Sequence, residues 1–223
     1  MDKQTFNFLI KLRENNNRIW FNENKSAYEI ALNKYKTSAT QVIRQLSLID
    51  PELMGLDIRD CLFRIYRDIR FSHDKTPYKN HFGAYLAKGG KKSIRAGYYF
   101  HLEPGNSFLG GGIWKPDSKL LKHIRHEIVD NIEEFEEIIE KKSFNQYYSE
   151  FSGDRLKRNP VGFSPEFRRI DLIKLKQYSV ICPVSDKLLL SSNWIEQVIQ
   201  RYKEITPLCK FLNYGIDAFL EED

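Results

Sequence analysis

The sequence predicts an α+β fold: an antiparallel β-meander sheet flanked by N-terminal, middle and C-terminal helices. Three observations carry this expectation. Apolar residues recur at helical spacing up to about residue 47, the period drops to two between residues 62 and 114, and helical spacing returns from residue 116, interrupted by one more strand-like run at 178–184. Short turns join the first strand-like runs, which suits hairpins rather than crossovers. No internal repeat or low-complexity linker is present, so a single α+β domain over residues 1–223 is expected.

The elements follow in order. Residues 4–14 read as a helix with Phe8, Leu9 and Leu12 on one face, stopped by Asn15-Asn16-Asn17. Trp20 and Phe21 form a hydrophobic anchor before Asn22, read as the N-cap of a long helix to about Ser47. Tyr28, Ala31, Leu32, Tyr35, Ala39, Val42, Ile43 and Leu46 make its buried stripe, and Asp50-Pro51 ends it. From Leu62 a strand is expected, with Phe63, Ile65, Ile69 and Phe71 on one face and Arg64, Tyr66, Asp68 and Arg70 on the other. Further strands are expected at 82–88, 96–102 and 108–114. Gly110-Gly111-Gly112 weakens the last of these, which calls either for close backbone packing or a bulge, or for a bare backbone beside a ligand.

Pro116-Asp117-Ser118 opens a helix, and Asn131-x-x-Glu134 reads as the capping box of the next. The strand at 178–184 contains Pro183 and belongs at a sheet edge. Asn193-x-x-Glu196 starts a helix, and Thr206-Pro207 is read as the start of the last one.

Composition narrows the function classes. The chain has 223 residues, 41% hydrophobic and 29% charged, which excludes disordered and fibrous proteins. No apolar run reaches the roughly 18–20 residues of a membrane span. The N-terminus lacks the apolar segment of a secretion signal. Cys61, Cys182 and Cys209 are far apart and form no Cys-x-x-Cys motif, so they read as buried small hydrophobes in a reducing cytoplasm. No metal-ligand spacing and no cofactor fingerprint is legible, and neither a metal nor a cofactor is expected. His123-x-x-His126-Glu127 matches neither zinc-peptidase helix pattern and reads as a solvated face.

Positive charge is concentrated. Residues 59–95 hold ten lysines and arginines against three aspartates, a local +7 in a chain of net charge +5. Arg64, Arg67, Arg70, Lys75 and Lys79 surround Asp68 and Asp74, interleaved with aromatics that include Tyr66 and Tyr78. Arg67 falls on the apolar face, so it is either re-aimed by a bulge or buried and paired. A second cationic loop carries Arg155, Lys157 and Arg158 ahead of Pro160 and Gly162.

The spacing Arg64, Arg67, Asp68, Arg70, Phe71, Asp74, Lys75, Tyr78 resembles the domain of unknown function 2461 family, uncharacterised and mostly bacterial. Asn17 to Phe21, Gly111 to Pro116 and Leu156 to Phe163 resemble it too, so the likeness runs nearly end to end. The resemblance implies no activity, because the family has none assigned.

The residues themselves support several readings. Arginine and aspartate strings can form a salt-bridge lattice that only fixes register. Forked guanidinium donors also suit phosphate or carboxylate, so a small phosphorylated or acidic ligand is the leading expectation. Arg155, Lys157 and Arg158 would close that site, and Tyr78 or Tyr66 would stack on a ring. Single-stranded nucleic acid competes, since cations interleaved with aromatics line such grooves. Catalysis would need Asp68, Asp74 or His73 as acid or base beside Lys75, yet aspartates beside arginines should stay ionised.

Overall fold

The computed structural model describes residues 1–222. Asp2 caps α1 (Lys3–Glu14) by accepting from the Gln4 N–H at 2.6 Å, and the helix buries Phe6, Phe8, Leu9 and Leu12. Asn17 caps α2 (Arg18–Glu23), its side chain accepting from the Trp20 N–H at 3.0 Å. Trp20 and Phe21 therefore lie within a short helix. Asn24, not Asn22, stands before α3 (Lys25–Leu46). Six of the eight expected stripe residues of α3 are buried, with Tyr28 and Leu32 half-buried. A one-turn helix, α4 (Ile58–Cys61), follows.

Four strands form one antiparallel sheet in the order β1 (Phe82–Leu86), β2 (Gly97–Leu102), β3 (Phe108–Ile113) and β4 (Tyr178–Pro183). This is the expected α+β class, and β4 with its Pro183 stands at the edge. The expected strand from Leu62 does not form. Residues 62–79 make an irregular arm touched by two isolated antiparallel bridges, Leu62–Ala84 and Tyr66–Tyr78. The reason lies in its charges: Asp68 pairs with Arg70 two residues on, and Arg67 reaches Asp74 across a loop, so the tip folds on itself.

By contact the chain divides into two compact units. The first comprises Met1–Ser93, Tyr99–Leu109 and Pro183–Gln200. In it, Tyr35 of α3 packs on Phe82 and Phe100 with ring centroids 5.3 and 5.5 Å away, and its hydroxyl donates to the Phe100 carbonyl at 2.7 Å. Phe8 of α1 stacks on Phe82 at 6.5 Å. α9 (Asp186–Leu189) belongs here and holds the 103–106 turn, the Asp186 carboxylate accepting from the Gly105 N–H at 3.0 Å.

The second unit comprises Ile94–Tyr98, Gly110–Cys182 and Arg201–Asp223. The helix expected from Pro116-Asp117-Ser118 is α5 (Ser118–Asp130), capped by Asp117, which accepts from the Lys119 and Leu120 N–H groups at 2.9 Å. Asn131 makes no capping bond to α6 (Ile132–Glu140); its amide donates back to Glu127 at 2.8 Å instead. The short helices α7 (Lys142–Asn145) and α8 (Ile170–Ile173) follow. Phe135 centres an aromatic core with Phe151, Tyr178 and Phe211.

The last helix, α10 (Trp194–Glu222), runs straight past Thr206-Pro207 instead of starting there. Pro207 removes one backbone donor. The Thr206 hydroxyl nearby donates to the Tyr202 carbonyl at 3.0 Å, and Tyr202 and Ile205 before the proline and Leu208, Phe211 and Leu212 after it are buried. Packing of that apolar face holds the helix together across the proline. No described helix is long and apolar enough to cross a membrane.

The glycine run in β3 serves close packing. A Cβ at Gly111 would collide with Ile205, and one at Gly112 (φ +98°) with the Tyr178 backbone oxygen. At Gly105 (φ +79°) a Cβ would meet nothing within 4 Å. Gly105→Ala should therefore cost only the left-handed penalty, about 1–2 kcal/mol. Gly112→Ala should lower the thermal midpoint by clearly more; equal midpoints would contradict the packing account. All three cysteines are buried, and burial pushes the Cys61 thiol up to about 12 and raises Cys182. The native protein should resist iodoacetamide at neutral pH until denaturant is added, when all three should be alkylated.

Candidate functional site

The arm at 62–79 is fixed at its base by one side chain from the asparagine run. Asn16 donates to the Tyr78 carbonyl at 2.9 Å and accepts from the Tyr78 N–H at 3.1 Å, imitating a paired strand. Tyr78, buried, stacks on Phe21 at 3.9 Å, and Tyr66 closes the cluster 5.4 Å from Tyr78. Tyr78 is thus an anchor. The half-exposed Tyr66 lines a cleft of about 310 Å³ with Arg18, Asn22, Arg67, Ile69, Pro77 and Tyr78.

Most of the expected cationic site is committed to the arm itself. Arg67, half-buried, donates to the Asp74 carboxylate, to the Thr76 hydroxyl and carbonyl, and to Ser72. Thr76, first through its backbone N–H, and then Arg67 hold the Asp74 carboxyl at about 2. Arg70 makes a forked contact to Asp68, with distances of 3.0 and 2.7 Å, and this bond holds Asp68 at about 2. Both aspartates stay ionised near neutral pH, a form that cannot donate a proton. Lys75 donates to the Ile69 carbonyl at 3.1 Å. In the second unit, Arg155 donates to the Asp171 carbonyl at 3.2 Å, and Lys157 and Arg158 are exposed.

Two cations of the arm are left over. The side chains of Arg64 and Lys79 make no hydrogen bond or ion pair among the described residues. Lys79 is half-buried, with its ammonium 5.6 Å from the Phe63 ring centre. Burial lowers the Lys79 pKa, and the nearby Arg64 charge lowers it further. Two like charges are thus held near each other with no carboxylate bound to either.

Beside them lies a group the sequence analysis did not find. His81 precedes β1, and Tyr99, His101 and Glu103 alternate along β2 and just beyond it, on the face opposite Phe82 and Phe100. The rings of His81 and His101 are 4.3 Å apart, and Phe108 stacks on His101 at 4.4 Å. His101 Nε2 lies 3.0 Å from a Glu103 oxygen, and its Nδ1 lies 3.3 Å from the Tyr99 hydroxyl. Asn80 and Asn106 donate to the two Glu103 oxygens at 2.8 and 3.1 Å. Gly83 makes room for the cluster, since a Cβ there would strike the Tyr99 hydroxyl.

Burial drives His81 down to about 4, with His101 adding to the effect. His101 is lowered by burial against the opposing pull of Glu103. Burial works to raise Glu103, yet His101 and Asn106 together hold it below its usual value. Burial pushes Tyr99 up to about 12. At neutral pH the group therefore holds two uncharged imidazoles, one carboxylate and one phenol. Lys79 is close enough for its charge to act on both histidines. The sequence signal was the alternation of residues 99, 101 and 103, but His81 joins only through strand pairing.

Comparison with known protein families gives a match over most of the chain. The model of the family described as "Conserved hypothetical protein (DUF2461)" matches residues 4–211. No curated protein and no solved structure matches significantly.

Asn16→Ala removes both bonds at the base of the arm and should cost roughly 1–3 kcal/mol, at 0.5–1.5 kcal/mol per bond. Trypsin should then cut at Arg64, Arg67, Arg70 or Lys75 faster than in the wild type. Unchanged cleavage would contradict the pinning role.

Proposed function

We propose, for a chain that belongs to the DUF2461 family, that the arm and the adjoining polar face of β1 and β2 bind a small phosphate- or carboxylate-bearing molecule. The observation that supports this reading is the pair Arg64 and Lys79: neighbouring cations, neither bonded to a carboxylate, one of them half-buried. Bringing like charges together is unfavourable unless an anion offsets them. Arg64 offers a fork to two anion oxygens and Lys79 a point charge. The other members of the expected cluster have a different role. Arg67, Asp68, Arg70, Asp74 and Lys75 shape the arm that presents the two open cations. The reading needs neither Tyr78 nor the Arg155, Lys157 and Arg158 loop.

Thermal-shift measurements in chelator test it, with phosphate, pyrophosphate, nucleotides, sugar phosphates, dicarboxylates and a short single-stranded oligonucleotide. A ligand at 100 times its Kd should stabilise by about 2.7 kcal/mol. The small-anion shift should shrink in Arg64→Ala and Lys79→Ala, and persist in Arg70→Ala and Arg158→Ala. A shift with the oligonucleotide alone, erased by salt, would favour the nucleic-acid reading. No shift with any probe would overturn both.

A further inference from the structure

We propose that His81, His101 and Glu103 bind a first-row divalent transition ion such as zinc. Among the described residues these three bring their donor atoms within 4.8 Å of one another. Two imidazoles and one carboxylate are a donor set that such ions accept, leaving at least one coordination position open. His123, His126 and Glu127, closer in sequence, do not gather in this way.

Four features fit the ion. First, donors about 2.1 Å from one ion stand roughly 3.0–3.4 Å apart at tetrahedral or octahedral angles. His101 Nε2 and the Glu103 oxygen are already 3.0 Å apart. In the metal-free protein a proton on His101 Nε2, directed at Glu103, would stand in the place of the ion. His81, outside the strand and half-buried, is the donor free to close the remaining distance. Second, each partner has its own support. The Tyr99 hydroxyl faces His101 Nδ1, and the Asn80 and Asn106 amides hold the carboxylate. Such outer contacts orient metal ligands. Third, His101 is buried and fixed by Phe108, so its lone pair is directed with little loss of freedom. Fourth, Gly83 keeps the space beside the cluster open, since a Cβ there would strike the Tyr99 hydroxyl that faces His101.

The cation beside the cluster bears on what completes the site. A divalent ion there, with Lys79 near, would leave excess positive charge against the single carboxylate of Glu103. An anion in the open position offsets it, so metal and anion should each strengthen the other's binding. The ion site does not depend on that coupling. It is tested with metal alone.

The experiment is titration of the full-length, chelator-treated protein with Co(II) and Zn(II), followed by visible absorption and calorimetry. The expected result is one ion per chain, with a cobalt band displaced by zinc. Glu103→Gln and His81→Ala should each weaken binding at least tenfold, and Tyr99→Phe should weaken it less. His123→Ala and His126→Ala should leave it unchanged. Glu103→Gln preserves size and the Asn106 side of the site, so its effect is readable even if His101→Ala does not fold. Absence of stoichiometric binding would overturn the proposal. So would binding that survives Glu103→Gln and His81→Ala, or that is lost in His123→Ala. The phosphate measurements in chelator fail or succeed separately, so the two readings fall independently.

Discussion

Side chains along a strand alternate between two faces, and this single constraint organises the first unit. Phe82 and Phe100 turn toward Phe8 and Tyr35, where burial fixes the register of β1 against β2. A slip of one residue would bring Glu103 and His101 to the apolar side and expose Phe100. The same register therefore sets His81, Tyr99, His101 and Glu103 together on the other face. The apolar packing on one face thus decides which residues meet on the other.

The arm at 62–79 depends on that arrangement in turn. Its base is stitched to β1 through Leu62 and the Gly83 carbonyl, and it is pinned by Asn16 at Tyr78. Its tip is closed by Arg67 on Asp74 and Thr76. The exposed ion pairs at the tip contribute little to global stability, as exposed pairs generally do. Their effect is local: they define the shape of a segment too short of apolar contacts to hold itself. That shape leaves Arg64 and Lys79 with no carboxylate hydrogen-bonded to either, Asp68 acting on Arg64 only through space, and it brings Lys79 near two neutral histidines. A strongly cationic motif in sequence thus separates in space into a self-paired scaffold and a small remainder that is not ion-paired.

Much of the fold was legible from residue pattern. The helical stripe of α3, the helix opened at Pro116-Asp117-Ser118 and the four strands of the sheet all follow from spacing and from Gly and Pro punctuation. Beyond the cap misplaced at Asn22, three local readings failed for physical reasons. Alternating apolar residues at 63–71 suggested a strand, but short-range ion pairing folded the segment into a loop. Pro207 suggested a helix start, but the buried face of α10 carries the helix past it. Asn131 suggested a capping box, but its amide found Glu127. The candidate site was half legible. The cations stood out by number, whereas His81 is separated from His101 by β1 and the turn that follows. Only the pairing of two strands joins them, and no linear spacing encodes that.

The most direct test of the account is the tautomer of His101, read by long-range nitrogen–proton NMR of the imidazoles with and without zinc. In the metal-free protein the proton should sit on Nε2, directed at Glu103, with Nδ1 accepting from Tyr99. Zinc should move it to Nδ1, while His81 shifts in the same titration. An unchanged His101 tautomer and an unmoved His81 at saturating zinc would contradict the claim that the polar face of β1 and β2 is built to hold an ion.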